Sequence, residues 1–106
     1  MRNAMDVVKK NLGNSNFSVD EFASELNMSR SNLHLRIKKI FGTSPLDFIK
    51  TVRFNEACRL LLEKDHTISE ISYMVGFASP SYFAAAFHRF IGCTPTEFAA
   101  KQKKEK

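Results

Sequence analysis

A chain of 106 residues with 43% hydrophobic and 25% charged residues has the size and make-up of one ordinary globular domain, not of a fibrous or disordered chain. No apolar run approaches the ~20 residues of a membrane span. No charged segment followed by an apolar stretch opens the chain as a secretory signal would, and Cys58 and Cys93 are too few for a disulfide framework and fit a reducing, cytoplasmic setting. The net charge is +5 and uneven: Arg30, Arg36, Lys38 and Lys39 give residues 28–41 a local +4 with no acid, and Lys101, Lys103, Lys104 and Lys106 against Glu105 give the tail +3. Charge gathered in this way favours a polyanion as partner, although the stretch 36–39 standing alone is an ordinary solvated helix face, and the tail is expected to be a disordered end.

In chain order the apolar spacing is helical throughout, and no stretch alternates as a strand does. Helices are expected over 3–12, 19–26, 30–41, 45–63, 68–75, 80–91 and 95–103. Their starts are marked by boxes of a hydroxyl residue followed three positions on by an acid: Ser18 with Glu21, Ser44 with Asp47, Thr67 with Glu70, and Thr94 with Glu97. The hydroxyl accepts from an unpaired N–H of the first turn, and the carboxylate sits at the positive helix end. Ser29 and Ser79 are two further N-caps; Pro45, Pro80 and Pro95 fill first-turn positions where a missing N–H costs nothing. Gly42 and Gly92 read as C-caps. The longest segment, 45–63, carries an apolar stripe of Leu46, Ile49, Val52, Ala57, Leu60 and Leu61.

The chain repeats itself. SVDEFASELNM at 18–28 aligns with TISEISYMVGF at 67–77, offset by 49, and SRSNLHLRIKKIFGTSPLDF at 29–48 aligns with SPSYFAAAFHRFIGCTPTEF at 79–98, offset by 50. The matched residues are core positions, caps and breakers: Phe22 with Ile71, Leu33 with Phe83, Ile37 with Phe87, Gly42 with Gly92. Each unit is a capped short helix, a tight turn and a second capped helix, the sequence shape of a helix-turn-helix. Asn27 stands at the first turn and Gly76 at the second, both residue types that accept a left-handed backbone. The expected architecture is all-α: one domain over 1–106, with helix-turn-helix units at 3–44 and 64–103 joined by the linker helix 45–63.

Helical geometry then assigns faces. In 30–41 the inner side is Leu33, Ile37, Ile40 and Phe41, and the outer side Ser31, His34, Leu35 and Lys38. In 80–91 the inner side is Phe83, Phe87, Phe90 and Ile91, and the outer side Ser81, Ala84, Ala85 and His88. In a helix-turn-helix such an outer face enters the DNA major groove, N-terminal residues nearest the bases. Arg30, Arg36, Lys39 and Arg89 flank these faces and suit phosphates. The N-cap hydroxyls of Ser29 and Ser79 sit at anion-ready helix ends.

Here the sequence resembles the DNA-binding domain of AraC/XylS-type transcription regulators. The likeness runs from about residue 3 to residue 100 and is carried by SVDEFASELNMSRSNLHLRIKK, SPLDFI, the linker pattern Arg53, Ala57, Leu60, Leu61, and ISEISYMVGFASPSYFAAAFHRFIGCTPTEF, notably Gly76-Phe77, Ser81-Tyr82-Phe83, Phe87, Gly92 and Pro95. It implies a monomeric module that places two recognition helices in successive major grooves, and it adds Tyr82 to the groove-facing set. The phrase MSRSNLH resembles output domains of hybrid two-component regulators. Regulation would then come from a sensor domain outside this chain, and RNA polymerase would be a further partner. The family often carries arginine or a long polar residue where this chain has Leu35 and Ala85. Neither can donate to guanine, though small apolar groups can touch a thymine methyl. The first unit is therefore expected to supply most charge-based affinity, with His34 and Lys38 making contacts, and the second to read by shape or methyl contact.

Other chemistries have little footing in the sequence. His34, His66 and His88 show no metal-ligand spacing, and no C-x-x-C occurs, so neither metal nor cofactor is expected. Cys58 reads as a small buried hydrophobe and Cys93, placed in a different helix, as exposed. No glycine-rich phosphate loop follows a strand, and nothing gathers a nucleophile with a base, so no enzyme activity is expected. The competing reading is a protein-interaction module, whose outer helices meet RNA polymerase or a neighbouring regulatory domain; Leu35 and Ala84–Ala86 lean that way.

Overall fold

A computed structural model describes residues 3–104, with side chains placed through Lys101. The side chains of the basic tail beyond Lys101 lie outside the described residues. Seven helices follow in chain order: α1 Ala4–Lys10, α2 Val19–Glu25, α3 Arg30–Phe41, α4 Pro45–Glu63, α5 Ile68–Met74, α6 Pro80–Ile91 and α7 Pro95–Lys104, with no strand among the described residues. The expected boundaries hold to within two residues. The largest difference is α1, which ends early because the Asn11 side-chain amide turns back to donate to the Val7 carbonyl at 2.8 Å.

The caps act as the sequence suggests. Ser18–Glu21, Thr67–Glu70 and Thr94–Glu97 each close a reciprocal box. At the fourth, Ser44 accepts the Asp47 N–H at 3.2 Å, but the shorter Asp47 carboxylate makes no return bond. Gly42 and Gly92 end α3 and α6 in the left-handed conformation. The two short helices end alike: Met28 N–H donates to Ala23 O and Asn27 N–H to Ser24 O, just as Phe77 N–H donates to Ser72 O and Gly76 N–H to Tyr73 O. This paired closure needs a positive φ at its pivot, 58° at Asn27 and 90° at Gly76. It turns the chain sharply and fixes how α3 sits on α2 and α6 on α5.

Two hydrophobic cores follow. The first joins Val7, Val8, Phe22, Leu33 and Ile37 to Phe48, Ile49 and Val52 of α4. The second joins Phe54, Ala57, Leu60 and Leu61 of α4 to Ile71, Val75, Phe83 and Phe87. Each fully buried side chain of this size contributes about 1.5–3 kcal/mol. Thus α4 is shared, its front half closing the first unit and its back half opening the second. Phe54 is the hub of the second core, with the rings of Phe77, Phe83, Phe87 and Phe90 all within 6.5 Å of it. The molecule is elongated, 44 × 25 × 24 Å.

Four expected core residues are exposed, and Ile91, expected on the inner side of α6, is half-buried. Leu46 is 53% exposed; it lies about 110° round α4 from the middle of the Phe48, Ile49, Val52 stripe. Ile40, Phe41 and Phe90 are 59%, 44% and 47% exposed. They occupy the last turns of α3 and α6, which overhang the packed part of each unit. Phe41 and Phe90 lean one side on a neighbouring ring, Phe48 at 4.5 Å and Phe54 at 4.8 Å.

Candidate nucleic-acid interface

The outer face of α3 is fully presented. Ser31, His34, Leu35 and Lys38 are all exposed, as are Arg30, Arg36 and Lys39 beside them. Leu35 at 66% is the most exposed large apolar side chain of the described residues. Ser29 caps the helix by accepting the Asn32 N–H at 3.1 Å, which leaves its own O–H free to donate. Arg30 is not free in this state: its Nε lies 3.2 Å from the Asp20 carboxylate. Both groups are about seventy per cent exposed, so this pair is weak and an incoming phosphate can compete for the guanidinium.

On α6, Ser81, Ala85, His88 and Arg89 are exposed and Tyr82 is 61% exposed, with its ring 5.6 Å from Phe77. Ala84, expected outside, is half-buried, because it lies one step round the helix from Phe83. Ser79 accepts the Tyr82 N–H at 3.2 Å and is itself half-buried. The face is smoother and less charged than its counterpart on α3. Lys50 of α4 escaped the sequence reading: it lines a cleft of about 160 Å³ together with Tyr82, Arg89 and Phe90 of α6. Two cations from different helices meet there over aromatic walls. The signal available in the sequence was only a lysine off the apolar stripe of α4, which does not distinguish it from any solvated lysine.

The cysteines also sit differently from expectation. Cys93 lies in the turn between α6 and α7, and both thiols are half-buried. Burial, with a smaller contribution from Cys93, pushes the Cys58 thiol up from its ordinary value. That disfavours the reactive thiolate. Among the described residues, no three of His, Cys, Asp and Glu gather as metal ligands, and no helix is long and apolar enough to cross a membrane.

Residues 22–101 match the family described as a helix-turn-helix domain. A solved regulator from Chromobacterium violaceum with an AraC-type DNA-binding domain is similar at 28% identity and a TM-score of 0.82, over 92% of this chain and 87% of that one. The chain belongs to the AraC/XylS-type helix-turn-helix family. This is a family of DNA-binding domains of transcription regulators. The DNA-binding domain of the global transcriptional factor AdpA, solved in complex with a target DNA, is similar at 27% identity and a TM-score of 0.84, over 99% and 97% of the two chains. In sequence, the chain is 37% identical over 98 residues to histidine kinase P4 of Formosa agariphila, a match covering 92% of this chain and 7% of that protein. The AraC/XylS-type module described here spans well under half the length of the curated relatives it matches.

Proposed function

We propose that this chain binds double-stranded DNA in a sequence-dependent way, as the output module of a longer bacterial transcription activator that works in the cytoplasm and has no chemistry of its own. The observation that carries the reading is the pairing of two repeat-equivalent helices, α3 and α6, whose outer faces are solvent-exposed on a body that superposes, over nearly its whole length, on a domain solved with its DNA. The 44 Å long dimension exceeds the ~34 Å between successive major-groove faces, so one molecule can reach both. In this reading Ser31, His34, Leu35 and Lys38 face the first groove, and Ser81, Tyr82, Ala84, Ala85 and His88 the second. Ser29, Arg30, Arg36, Lys39, Ser79 and Arg89 take phosphates, and Lys50 joins Arg89 on the strand between the grooves.

Selection of bound sites from a random duplex pool tests this. The expected result is a motif of two blocks about one helical turn, ~10 bp, apart. With five or six phosphate contacts, log K falls against log salt with a slope near −5. A slope shallower than about −2 refutes a molecule spanning two grooves. A second reading, a module contacting RNA polymerase or a neighbouring sensor domain, is favoured by one feature. Ile40 and Phe41 line an open groove of about 680 Å³ with Met5, Leu26 and Met28. Salt-sensitive duplex binding separates the two readings.

A further inference from the structure

The two cores share α4 but divide it cleanly. Val52 is the last α4 residue in the first core and Phe54 the first in the second. A helix resists bending, yet two units that each grip a different half of it can still roll about its axis relative to each other. Arg53 stands at the seam. It is 7% exposed, and the hydrogen-bond partners of its guanidinium are all backbone carbonyls. Nη1 donates to Leu12 O at 2.9 Å and to Val75 O at 2.6 Å, and Nη2 donates to Asn14 O at 3.1 Å. Leu12 and Asn14 lie in the turn between α1 and α2 of the first unit. Val75 is the C-cap of α5, one residue before the Gly76 pivot that aims α6.

One guanidinium therefore ties the frame of the first unit to the turn that sets the direction of the second recognition helix. The surroundings are built to its size. A Cβ on Gly76 would fall 1.4 Å from Arg53 Nη1 and 2.3 Å from Leu12 O, and one on Gly13 would lie 3.7 Å from Met74 O. Leu12 touches both cores. The Val75 carbonyl is at the negative end of α5, where a cation is favoured. Burial lowers the Arg53 pKa from its ordinary value, yet a guanidinium keeps its proton under any working condition. Three acceptors approaching from two units match a rigid planar fork better than an ammonium.

We infer that Arg53 is a positioning residue that fixes the angle between the two reading units and so sets the spacing of the two DNA blocks that the protein accepts. This rests on the DNA-binding reading above, and the experiment keeps the two apart. The selected duplex is re-made with its blocks moved by one or two base pairs in either direction. Wild type, Arg53→Lys and Arg53→Met are titrated against the panel and against a duplex holding only the first block. Wild type is expected to lose about tenfold or more in affinity when the spacing is wrong, equivalent to about 1.4 kcal/mol. The variants are expected to lose affinity for the correct spacing, to hold their affinity for the single block, and to show a flattened spacing profile, Arg53→Lys falling between the other two.

A variant that binds more weakly at every spacing in equal proportion, with an unchanged profile, overturns the inference while leaving DNA binding intact. Absence of duplex binding by the wild type overturns the DNA reading itself. Residual dipolar couplings of the free protein report the angle independently of DNA. Wild type should fit one alignment frame for both units, and Arg53→Lys two. A single shared frame in Arg53→Lys refutes the positioning role even if Arg53→Met fails to fold.

Discussion

Gly76→Ala should damage the fold far more than Gly42→Ala, although both glycines sit in the left-handed region, at φ 90° and 77°. At Gly42 an added Cβ meets nothing within 4 Å. The cost there is the backbone preference alone, about 1–2 kcal/mol. At Gly76 the same Cβ would occupy the place of Arg53 Nη1 and press on the Leu12 carbonyl. The guanidinium must leave, which forfeits its Nη1 bonds to Leu12 O and Val75 O. At about 1.5–3 kcal/mol per hydrogen bond from a charged group, on top of ~1–2 kcal/mol of backbone strain, the total is about 4–8 kcal/mol. That is a large share of the ~5–15 kcal/mol that holds a domain folded. Thermal unfolding followed by circular dichroism reads both. Gly42→Ala should lower the thermal midpoint by on the order of 5–15 °C, while Gly76→Ala should be largely unfolded at room temperature or nearly so. Equal losses in the two variants would show that the Arg53 junction adds nothing to the conformational requirement, and the argument from close packing would fail.

Three further expectations are measurable. If the first unit carries most of the charge-based affinity, Lys38→Ala with Lys39→Ala should weaken duplex binding more than Arg89→Ala, and each phosphate contact removed should make the salt slope shallower by about 0.9; the reverse ordering in a fluorescence titration refutes the asymmetry. Hydrogen bonds from Thr94, the backbone N–H first, hold the Glu97 carboxyl below its ordinary value. The folded state thus binds this proton less readily than the unfolded state, and the stabilisation is present above the unfolded pKa of ~4.3 and lost as pH falls through the lower folded value. Glu97→Gln should therefore flatten the acid side of a plot of urea midpoint against pH, and an unaltered plot counts against this cap. Lys64 ends α4 at φ 61° without being glycine, so Lys64→Gly should raise stability by about 0.5–1 kcal/mol, read as a higher melting temperature.

The limits of reading this chain from sequence follow from the range of the interactions involved. Capping boxes, C-cap glycines and the Asn27 pivot are settled within five residues, so Ser18, Thr67, Thr94, Gly42 and Gly92 announce their own geometry. The exposed outer faces of α3 and α6 follow from the buried ones, since Leu33, Ile37, Phe83 and Phe87 already dictate which side must face outward. What escaped was everything decided between elements. Arg53 reads as one more linker-helix cation until Leu12, Asn14 and Val75, 41, 39 and 22 positions away, are seen to converge on it. Lys50 acquires meaning only beside Arg89.

The misjudged burial of Ile40 and Phe90 shows the same rule at work inside the repeat. The offset of 50 equates them, but their neighbours differ. In the second unit Phe54 of α4 lays its ring against Phe90 at 4.8 Å. In the first unit the helix bordering Ile40, α1, brings Ala4 and Met5. Ile40 is left 59% exposed over a groove that Ala4 and Met5 only border. A duplicated fold thus keeps its inner packing, Leu33 for Phe83 and Ile37 for Phe87, while the neighbouring helix leaves a groove beside α3. The two units are alike where they hold themselves together. They differ in charge, in groove and in outer face, where each meets something else, so the functional asymmetry is carried by residues that the repeat does not constrain.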